Sequence, residues 1–349
     1  MGFARRRGTA LSLVLSISIG VLMASAATGA GAAQLGPRGY AFAPYTDMAD
    51  YPPPDLGAYK AKAGVKHVSL GFVTARGGTD CSPTWGGYAD YPASGGKAYR
   101  LAQVRSYNRG TADAVLSFGG QAGTELALVC KSVRQLTKAY GGVISTYGAT
   151  HIDFDIEGAA VGDKAANARR AKAIAALQRS ARRHHRKLIV SFTLPVLPTG
   201  LDSAGLAIVR GAASKGVGVS IVNGMAMDYG EAAAPDPAGR MGEYAIEVAK
   251  SLERQLTKLY PRASAATVRR AVGITPMIGI NDVAAEVTTL ADARQIAAYA
   301  KSRHLGMLGM WQLGRDRQCN APSPMTQLDC SGVDQSPWAF AKALGSFRG

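Results

Sequence analysis

The sequence predicts an α/β fold, a (β/α)8 TIM barrel. Eight short apolar or β-branched runs end in Gly, Pro, Asn or Asp, and Ala-rich amphipathic stretches separate them. Strands that alternate with helices pair in parallel through right-handed crossovers, and eight such units close into a barrel. The predicted strands span residues 40–45, 67–73, 114–118, 151–156, 187–194, 217–227, 271–278 and 306–313.

The predicted helices span residues 97–107, 125–147, 165–185, 203–215, 241–260, 283–303 and 337–346. Only residues 279–305 separate the last two strands, which leaves room for a helix but not for an extra α+β insertion. We therefore expect a single domain with an open, shallow groove. A doubly wound open sheet is the alternative, but no GxGxxG or Walker-type glycine loop follows the first strand.

Composition excludes several classes of protein. The chain has 349 residues, of which 47% are hydrophobic and 18% charged. These proportions fit a folded protein and exclude disorder, collagen and coiled coil.

The first 33 residues have the pattern of a secretory signal. Arg5, Arg6 and Arg7 precede a short apolar run from Leu11 to Leu22, and small residues continue to Ala33. A membrane anchor is the alternative, but a span needs about 20 apolar residues. We expect residues 1–33 to be a signal segment, residues 34–349 to form the barrel, and the mature protein to be secreted and extracellular with no membrane span.

Export makes disulfides possible for the four cysteines, which allow three connectivities. Pairing neighbours predicts Cys81–Cys130 and Cys319–Cys330, and free thiols are the alternative. No metal site is predicted, because there is no CxxC pair and the five His are scattered. The loop 76–96 carries Trp85, Tyr88 and Tyr91, which suit either stacking on sugars or packing onto the barrel.

The formal net charge is +16, of which the predicted signal contributes three positive charges. Such an excess can attract nucleic acid or anionic cell walls. Much of it falls in one Ala-rich stretch of helical period, at Arg169, Arg170, Lys172, Arg179, Arg182, Arg183, Arg186 and Lys187. We expect a solvated helix face and no nucleic-acid partner, because no aromatic residues are interleaved for base stacking.

The fourth predicted strand carries the most informative pattern. In residues 151–158, His151, Asp153, Asp155 and Glu157 alternate with apolar residues, so the three carboxyls point into the barrel and Glu157 reaches its rim. A metal cluster and an exposed polar strand are the alternatives. Three inward carboxyls cannot all ionise cheaply, so we expect at least one to hold a proton near neutral pH and act as a general acid.

Several motifs resemble those of glycoside hydrolase family 18, the chitinase family. Asp153, Asp155 and Glu157 match three acids of its Asp-x-x-Asp-x-Asp-x-Glu pattern, and Thr150 replaces the first. Residues 117–120 resemble its Ser-x-Gly-Gly, and residues 225–229 resemble its Met-x-Tyr-Asp with Met227 in the place of Tyr. Trp311 lies where the eighth strand of such barrels carries a Trp. The similarity covers the chain from Gly39 to Trp311.

The resemblance implies a retaining mechanism in which the N-acetyl oxygen of the substrate is the nucleophile. Glu157 would protonate the glycosidic oxygen and then activate water. Asp155 would orient the acetamido group, and Asp153 would share a proton with Asp155.

The resemblance also implies a binding site. Asp228 and Tyr229 would bind the acetamido group, with Tyr229 taking over from the Tyr replaced by Met227. Trp311 would form the floor of the subsite, and Tyr45 and Phe72 would be wall residues. His151 we expect to be a core histidine.

The residues themselves favour a nucleophile from the substrate. Retaining barrels with two catalytic carboxylates place the nucleophile at the end of the seventh strand, where residues 274–279 contain no acid and Asp282 comes too late.

We therefore expect a chitinase, a glycoside hydrolase that cleaves β-1,4-linked N-acetylglucosamine polymers in endo fashion, as a monomer without cofactor. An endo-β-N-acetylglucosaminidase acting on N-glycans is one alternative. A chitin-binding or inhibitor barrel without turnover is another, which the presence of Glu157 disfavours.

Overall fold

The structure is a computed structural model that describes residues 1–2, 35–36 and 41–347. The predicted signal, residues 1–33, lies outside the described residues except for Met1 and Gly2, and so does Tyr40 of the first predicted strand. The described residues from Leu35 to Phe347 belong to one compact unit. In the described part of the chain, every helix is too short or too polar to cross a bilayer.

Eight parallel strands form the barrel, as predicted. In order around the sheet they are β1 (Tyr45–Asp47), β2 (His67–Arg76), β4 (Asp113–Gly119), β5 (His151–Asp155), β6 (Ile189–Pro195), β7 (Ile221–Ala226), β8 (Val272–Pro276) and β11 (Met307–Leu308). The barrel closes where Phe42 bridges Leu308 in parallel and the Ala43 N–H donates to the Leu308 carbonyl at 2.9 Å.

Helices surround the barrel. They are α1 (Leu56–Lys62), α2 (Leu101–Tyr107), α3 (Leu126–Val129), α4 (Val133–Tyr147), α5 (Ala159–Gly162), α6 (Lys164–Arg183), α7 (Ser203–Ser214), α8 (Met241–Leu259), α9 (Ala265–Arg269), α10 (Leu290–Arg303) and α11 (Ala339–Leu344). Asp55, Asp163 and Asp202 cap the N-termini of α1, α6 and α7. A carboxylate there accepts free backbone N–H groups and opposes the helix dipole.

Two predicted helices differ most from the structure. The predicted helix 125–147 is broken between α3 and α4, because Cys130 bonds to Cys81 and Ser132 caps a new helix by accepting the Gln135 N–H. The predicted helix 283–303 begins only at Leu290, after a capping box formed by Thr289 and Asp292.

The region after β2 is a hairpin rather than a loop. Strand β3 (Asp80–Trp85) pairs antiparallel with β2. Trp85 is fully buried and donates to the Tyr147 hydroxyl at 2.9 Å, and Tyr91 stacks on Tyr99 with ring centroids 4.1 Å apart. The rings of Trp85 and Tyr91 are therefore used for packing within the protein. Tyr88 is exposed.

Both predicted disulfides, Cys81–Cys130 and Cys319–Cys330, are present. The expected absence of an α+β insertion before the last strand is confirmed. The segment between β8 and β11 contains α10 and a small hairpin of β9 (Gly279–Ile280) and β10 (Val287–Thr288).

The predicted solvated face of α6 is wrong at one position. Arg170 is buried, and its Nη2 donates to the Glu125 carboxylate at 2.7 Å. The Tyr140 hydroxyl donates to the other oxygen of Glu125 at 2.6 Å. A buried carboxylate requires such partners, and this one ties α6 to the segment that follows β4.

Candidate active site

A cleft of about 590 Å³ opens at the C-terminal ends of the barrel strands. Six of its lining residues carry carboxyls: Asp47, Asp155, Glu157, Asp202, Asp228 and Asp282. No Lys, Arg or His among the described residues lines it. The cleft is therefore acidic, although the whole chain is strongly basic.

The end of β4 brings the neighbouring strands close to the cleft floor. Gly119 has φ of +108°, and a Cβ at this position would lie 2.0 Å from the Asp155 carbonyl oxygen. Gly120 donates its N–H to that same oxygen at 3.0 Å, and a Cβ on it would meet the Phe72 ring at 2.6 Å. The paired glycines therefore allow β4 to approach both Asp155 and Phe72.

Asp153 lies beneath the cleft and is fully buried. Four hydroxyls donate to its carboxylate: Ser117 and Tyr45 to Oδ2 at 2.7 and 2.9 Å, and Ser191 and Thr193 to Oδ1 at 2.6 and 2.9 Å. Burial raises the pKa of Asp153, and the hydroxyl donors oppose that rise. Asp153 is thus held as an acceptor at the centre of a hydroxyl cage.

Asp155 and Glu157 are hydrogen-bonded to each other at the floor of the cleft. Burial, and then the charges of Glu157 and Asp153, raise the pKa of Asp155 well above its usual range. Burial also raises the pKa of Glu157, with the charge of Asp228 adding to the rise and the hydrogen bond from Asp155 opposing it. The raised pKa values favour a proton shared between these two carboxyls.

Three aromatic rings form one side of the cleft. Trp311 stacks on Phe72 with ring centroids 5.6 Å apart at an angle of 22°. The Tyr45 ring lies 6.1 Å from Phe72 and 6.2 Å from Trp311. All three residues line the cleft. Tyr45 is more than a wall residue, because its hydroxyl also holds Asp153.

Known proteins are similar to this chain in sequence, although no protein-family model matches it. A probable bifunctional chitinase/lysozyme of Escherichia coli (strain K12) is 36% identical over 79% of this chain and 31% of that protein. Endochitinase 11 of Metarhizium anisopliae is 34% identical over 79% of this chain and 52% of that protein. The chain thus spans about a third and about half of these two relatives.

The deciding similarity is to a solved domain of almost the same length. Active domain 2 of the chitinase from Pyrococcus furiosus is 31% identical and superposes with a TM-score of 0.77. The match covers 90% of this chain and 97% of that domain. The chain belongs to the chitinase family, glycoside hydrolase family 18.

In this chitinase-family barrel, Asp228 lies at the cleft but Tyr229 does not. The Asp228 carboxylate accepts the Val283 N–H at 2.9 Å, and burial raises its pKa. Tyr229 is buried in the core beside Tyr244, with ring centroids 6.1 Å apart, and it is absent from the cleft lining. The expectation that Tyr229 replaces the missing hydroxyl is therefore corrected.

The physical reason lies in the backbone after β7. Asp228 has φ of +51°, which ends the strand alternation that would have turned Tyr229 inward. Glu286 fixes this turn by accepting the N–H groups of Tyr229 and Gly230 at 3.1 and 2.8 Å. Met227 does line the cleft, together with Met225 and Met277.

Two further residues, Thr150 and His151 at the start of β5, do not line the cleft. His151 is fully buried and contacts the Ser191 hydroxyl through Nε2 at 3.1 Å, as expected for a core histidine. Burial lowers its pKa to about 3, so the ring is neutral. Thr150 is exposed on the opposite side and donates to Asp113.

Sequence reasoning missed most of the buried polar side chains beneath the carboxyls. Ser191, Thr193, Asn223 and Thr275 are buried, and the Asn223 amide donates to the hydroxyls of Thr193 and Thr275 at 3.1 and 2.8 Å. Their positions alternate with apolar residues on β6, β7 and β8, and that alternation was the available signal. No group of three or more His, Cys, Asp or Glu with metal-site geometry occurs among the residues described.

The hydroxyl cage around Asp153 leads to a prediction about the free energy of unfolding. Asp153→Ala leaves four buried hydroxyls without their common acceptor, so we expect the free energy of unfolding to fall by about 3 kcal/mol or more. Ser117→Ala removes a single donor and is expected to cost about 1 kcal/mol. Denaturant unfolding at pH 7 measures both, and equal losses in the two variants would contradict the cage.

Proposed function

We propose that the protein is a chitinase that hydrolyses β-1,4-linked N-acetylglucosamine polymers with retention of configuration. The observation that carries this is the pair of mutually hydrogen-bonded carboxyls, Asp155 and Glu157, at the floor of an acidic cleft lined on one side by aromatic rings. The relatives support it, because the Pyrococcus furiosus domain has been solved in complex with chito-oligosaccharides.

The proposed first step uses the proton shared by Asp155 and Glu157, which must lie on Glu157 when the substrate reacts. As Glu157 donates it to the glycosidic oxygen, the bond to the anomeric carbon breaks and the acetamido oxygen of the same sugar attacks that carbon. Asp155 turns from Glu157 to the acetamido N–H and stabilises the resulting oxazolinium ion. Glu157, now a carboxylate, then takes a proton from water, which opens the ring and regenerates the acid.

The nucleophile is assigned to the substrate because the protein offers none in its place. The end of β8 presents Thr275 and Met277 to the cleft. Asp282 also borders the cleft, but it is exposed on the following loop, and its backbone N–H bonds to Asp228. Neither the end of β8 nor Asp282 therefore provides a buried carboxylate that could attack an anomeric carbon.

Endo-type cleavage and secretion belong to the proposal. The cleft receives residues from each barrel strand or from the chain just after it, and the chain between β8 and β11 contains only a two-stranded hairpin and a helix. A groove without a wall at one end admits the middle of a polymer. The basic and apolar pattern of residues 5–33 supports export.

The choice of substrate is tested by comparing chitin oligomers with a high-mannose glycoprotein. The proposal expects rapid release of short oligomers from the first and no release of glycan from the second. An endo-β-N-acetylglucosaminidase would give the reverse result. Endo cleavage is checked by the viscosity of a soluble chitin derivative, which should fall well before much reducing sugar accumulates.

A pH profile tests the electrostatics of the acid. Activity should fall as pH rises through the raised pKa of Glu157, because the proton donor is then lost. The charge of Asp228 contributes to that pKa, so Asp228→Asn should move the alkaline limb of kcat/KM to lower pH. Asp282→Asn is the control, because the charge of Asp282 raises the pKa of Asp228 but does not contribute to that of Glu157. A limb that does not move in Asp228→Asn would contradict the assignment.

A further inference from the structure

The end of the barrel opposite the cleft has a charge pattern that the proposed function does not use. This closed end is formed by the turns that lead from helices into the following strands. Strand β6 runs from the closed end to the cleft over 7 residues. At about 3.3 Å per residue, the two ends lie roughly 20 Å apart.

Six consecutive residues between the last turn of α6 and β6 are exposed, and we call them the basic segment. They are Arg182, Arg183, His184, His185, Arg186 and Lys187. Within the described part of the chain, none of their side chains forms a hydrogen bond or an ion pair. The segment therefore presents unneutralised positive charge to solvent.

The surrounding turns reinforce this charge. The described turns 63–66, 108–112, 148–150, 184–188, 215–220, 260–264, 270–271 and 304–306 contain no Asp or Glu. Their Lys and Arg residues are Lys66, Arg109, Arg186, Lys187, Lys215, Arg262 and Arg270. Two acidic residues of the described chain lie near this end: Asp113, at the start of β4, accepts a hydrogen bond from Thr150, and Glu253 pairs with Arg269 and Arg303 at the ends of α9 and α10. The cleft end is the opposite, with six carboxyls lining it.

Helix dipoles explain only part of the pattern. Arg182 and Arg183 lie in the last turn of α6, where cations oppose the partial negative charge of the helix C-terminus. Arg186 and Lys187 continue the positive charge beyond the end of the helix. Like charges at adjacent exposed positions repel one another, and an anionic partner would relieve that repulsion.

We propose that the closed end binds an anionic polymer with phosphate groups along a flexible backbone, and that the basic segment is the main contact. The basic segment contains no Phe, Tyr or Trp, so it lacks the large aromatic rings on which nucleic-acid bases usually stack. A protein held by this end would keep its acidic cleft directed away from the anionic polymer and open to a neutral polysaccharide.

The test compares two variants with the same change in charge. One variant replaces Arg182, Arg183, Arg186 and Lys187 by Gln, and the control replaces Lys97, Lys131, Arg134 and Lys138 by Gln, all of which are exposed elsewhere. Titration calorimetry with long-chain inorganic polyphosphate at moderate salt should give an affinity at least about tenfold lower for the first variant. The control should remain close to the wild type.

Three results would overturn the proposal. If both variants lost the same amount of affinity for polyphosphate, net charge alone would explain the binding. If the wild type did not bind polyphosphate, there would be no such site. Much tighter binding of an oligothymidine of equal charge would identify a nucleic-acid partner instead. Circular dichroism and hydrolysis of a short soluble substrate check the fold. If the fourfold variant does not fold, the pair Arg186→Gln and Lys187→Gln, outside the helix, replaces it.

Discussion

Glu157→Gln is expected to lower the turnover of chitin oligomers by about 1,000-fold while leaving their binding nearly unchanged. The amide keeps the size of the side chain and its hydrogen bond with Asp155, but it cannot donate a proton to the leaving oxygen. Oligomer hydrolysis measures kcat, and calorimetry measures binding.

A matched control is available on the same surface of the molecule. Glu231→Gln makes the same chemical change at an exposed residue that does not line the cleft, and it should retain full activity. If Glu157→Gln retained more than about a tenth of the wild-type rate, another group would have to supply the proton. If neither the wild type nor Glu157→Gln released sugar while both bound chitin, the protein would be a binding barrel without turnover.

A fully deacetylated oligomer is expected to be cleaved at least about 1,000-fold more slowly than its acetylated counterpart of equal length. The acetamido oxygen is the proposed nucleophile, and an amine at the same carbon has no carbonyl oxygen to attack the anomeric centre. The positive charge of that amine suits the acidic cleft, so weak binding would not be the cause. Separate measurement of kcat and KM distinguishes the two explanations.

Reacetylation of the same oligomer provides the control and should restore cleavage. Rapid hydrolysis of the deacetylated oligomer would contradict the mechanism, because it would require a nucleophile from the protein or from water. Asp282 would then be the residue to test first, since it is the carboxyl nearest to the end of β8 that borders the cleft.

The strand pattern was sufficient to predict the centre of the site. Because side chains alternate along a strand, the positions of Asp153, Asp155 and Glu157 required only that the strand be buried in a barrel. The two disulfides were predicted by pairing cysteines that are neighbours in the sequence. Apolar runs located the eight strands, although β11 proved much shorter than the run that predicted it.

The failures have a common physical cause, which is interaction between residues distant in sequence. Tyr229 turns away because Glu286 holds its backbone from another loop. The predicted helix 125–147 is interrupted because Cys130 bonds to a hairpin 49 residues earlier. Asp153 was expected to share a proton with Asp155. Its oxygens instead accept four hydroxyls from three strands, and the partner of Asp155 is Glu157.

The anomeric form of the sugar first released from a chitin oligomer tests the central claim most directly. Proton NMR recorded during the first turnovers, before mutarotation, distinguishes the two anomers. Attack by the sugar's own acetamido oxygen, followed by water, inverts the anomeric carbon twice, so the account predicts the β-anomer. Initial release of the α-anomer would mean a single displacement by water and would contradict it.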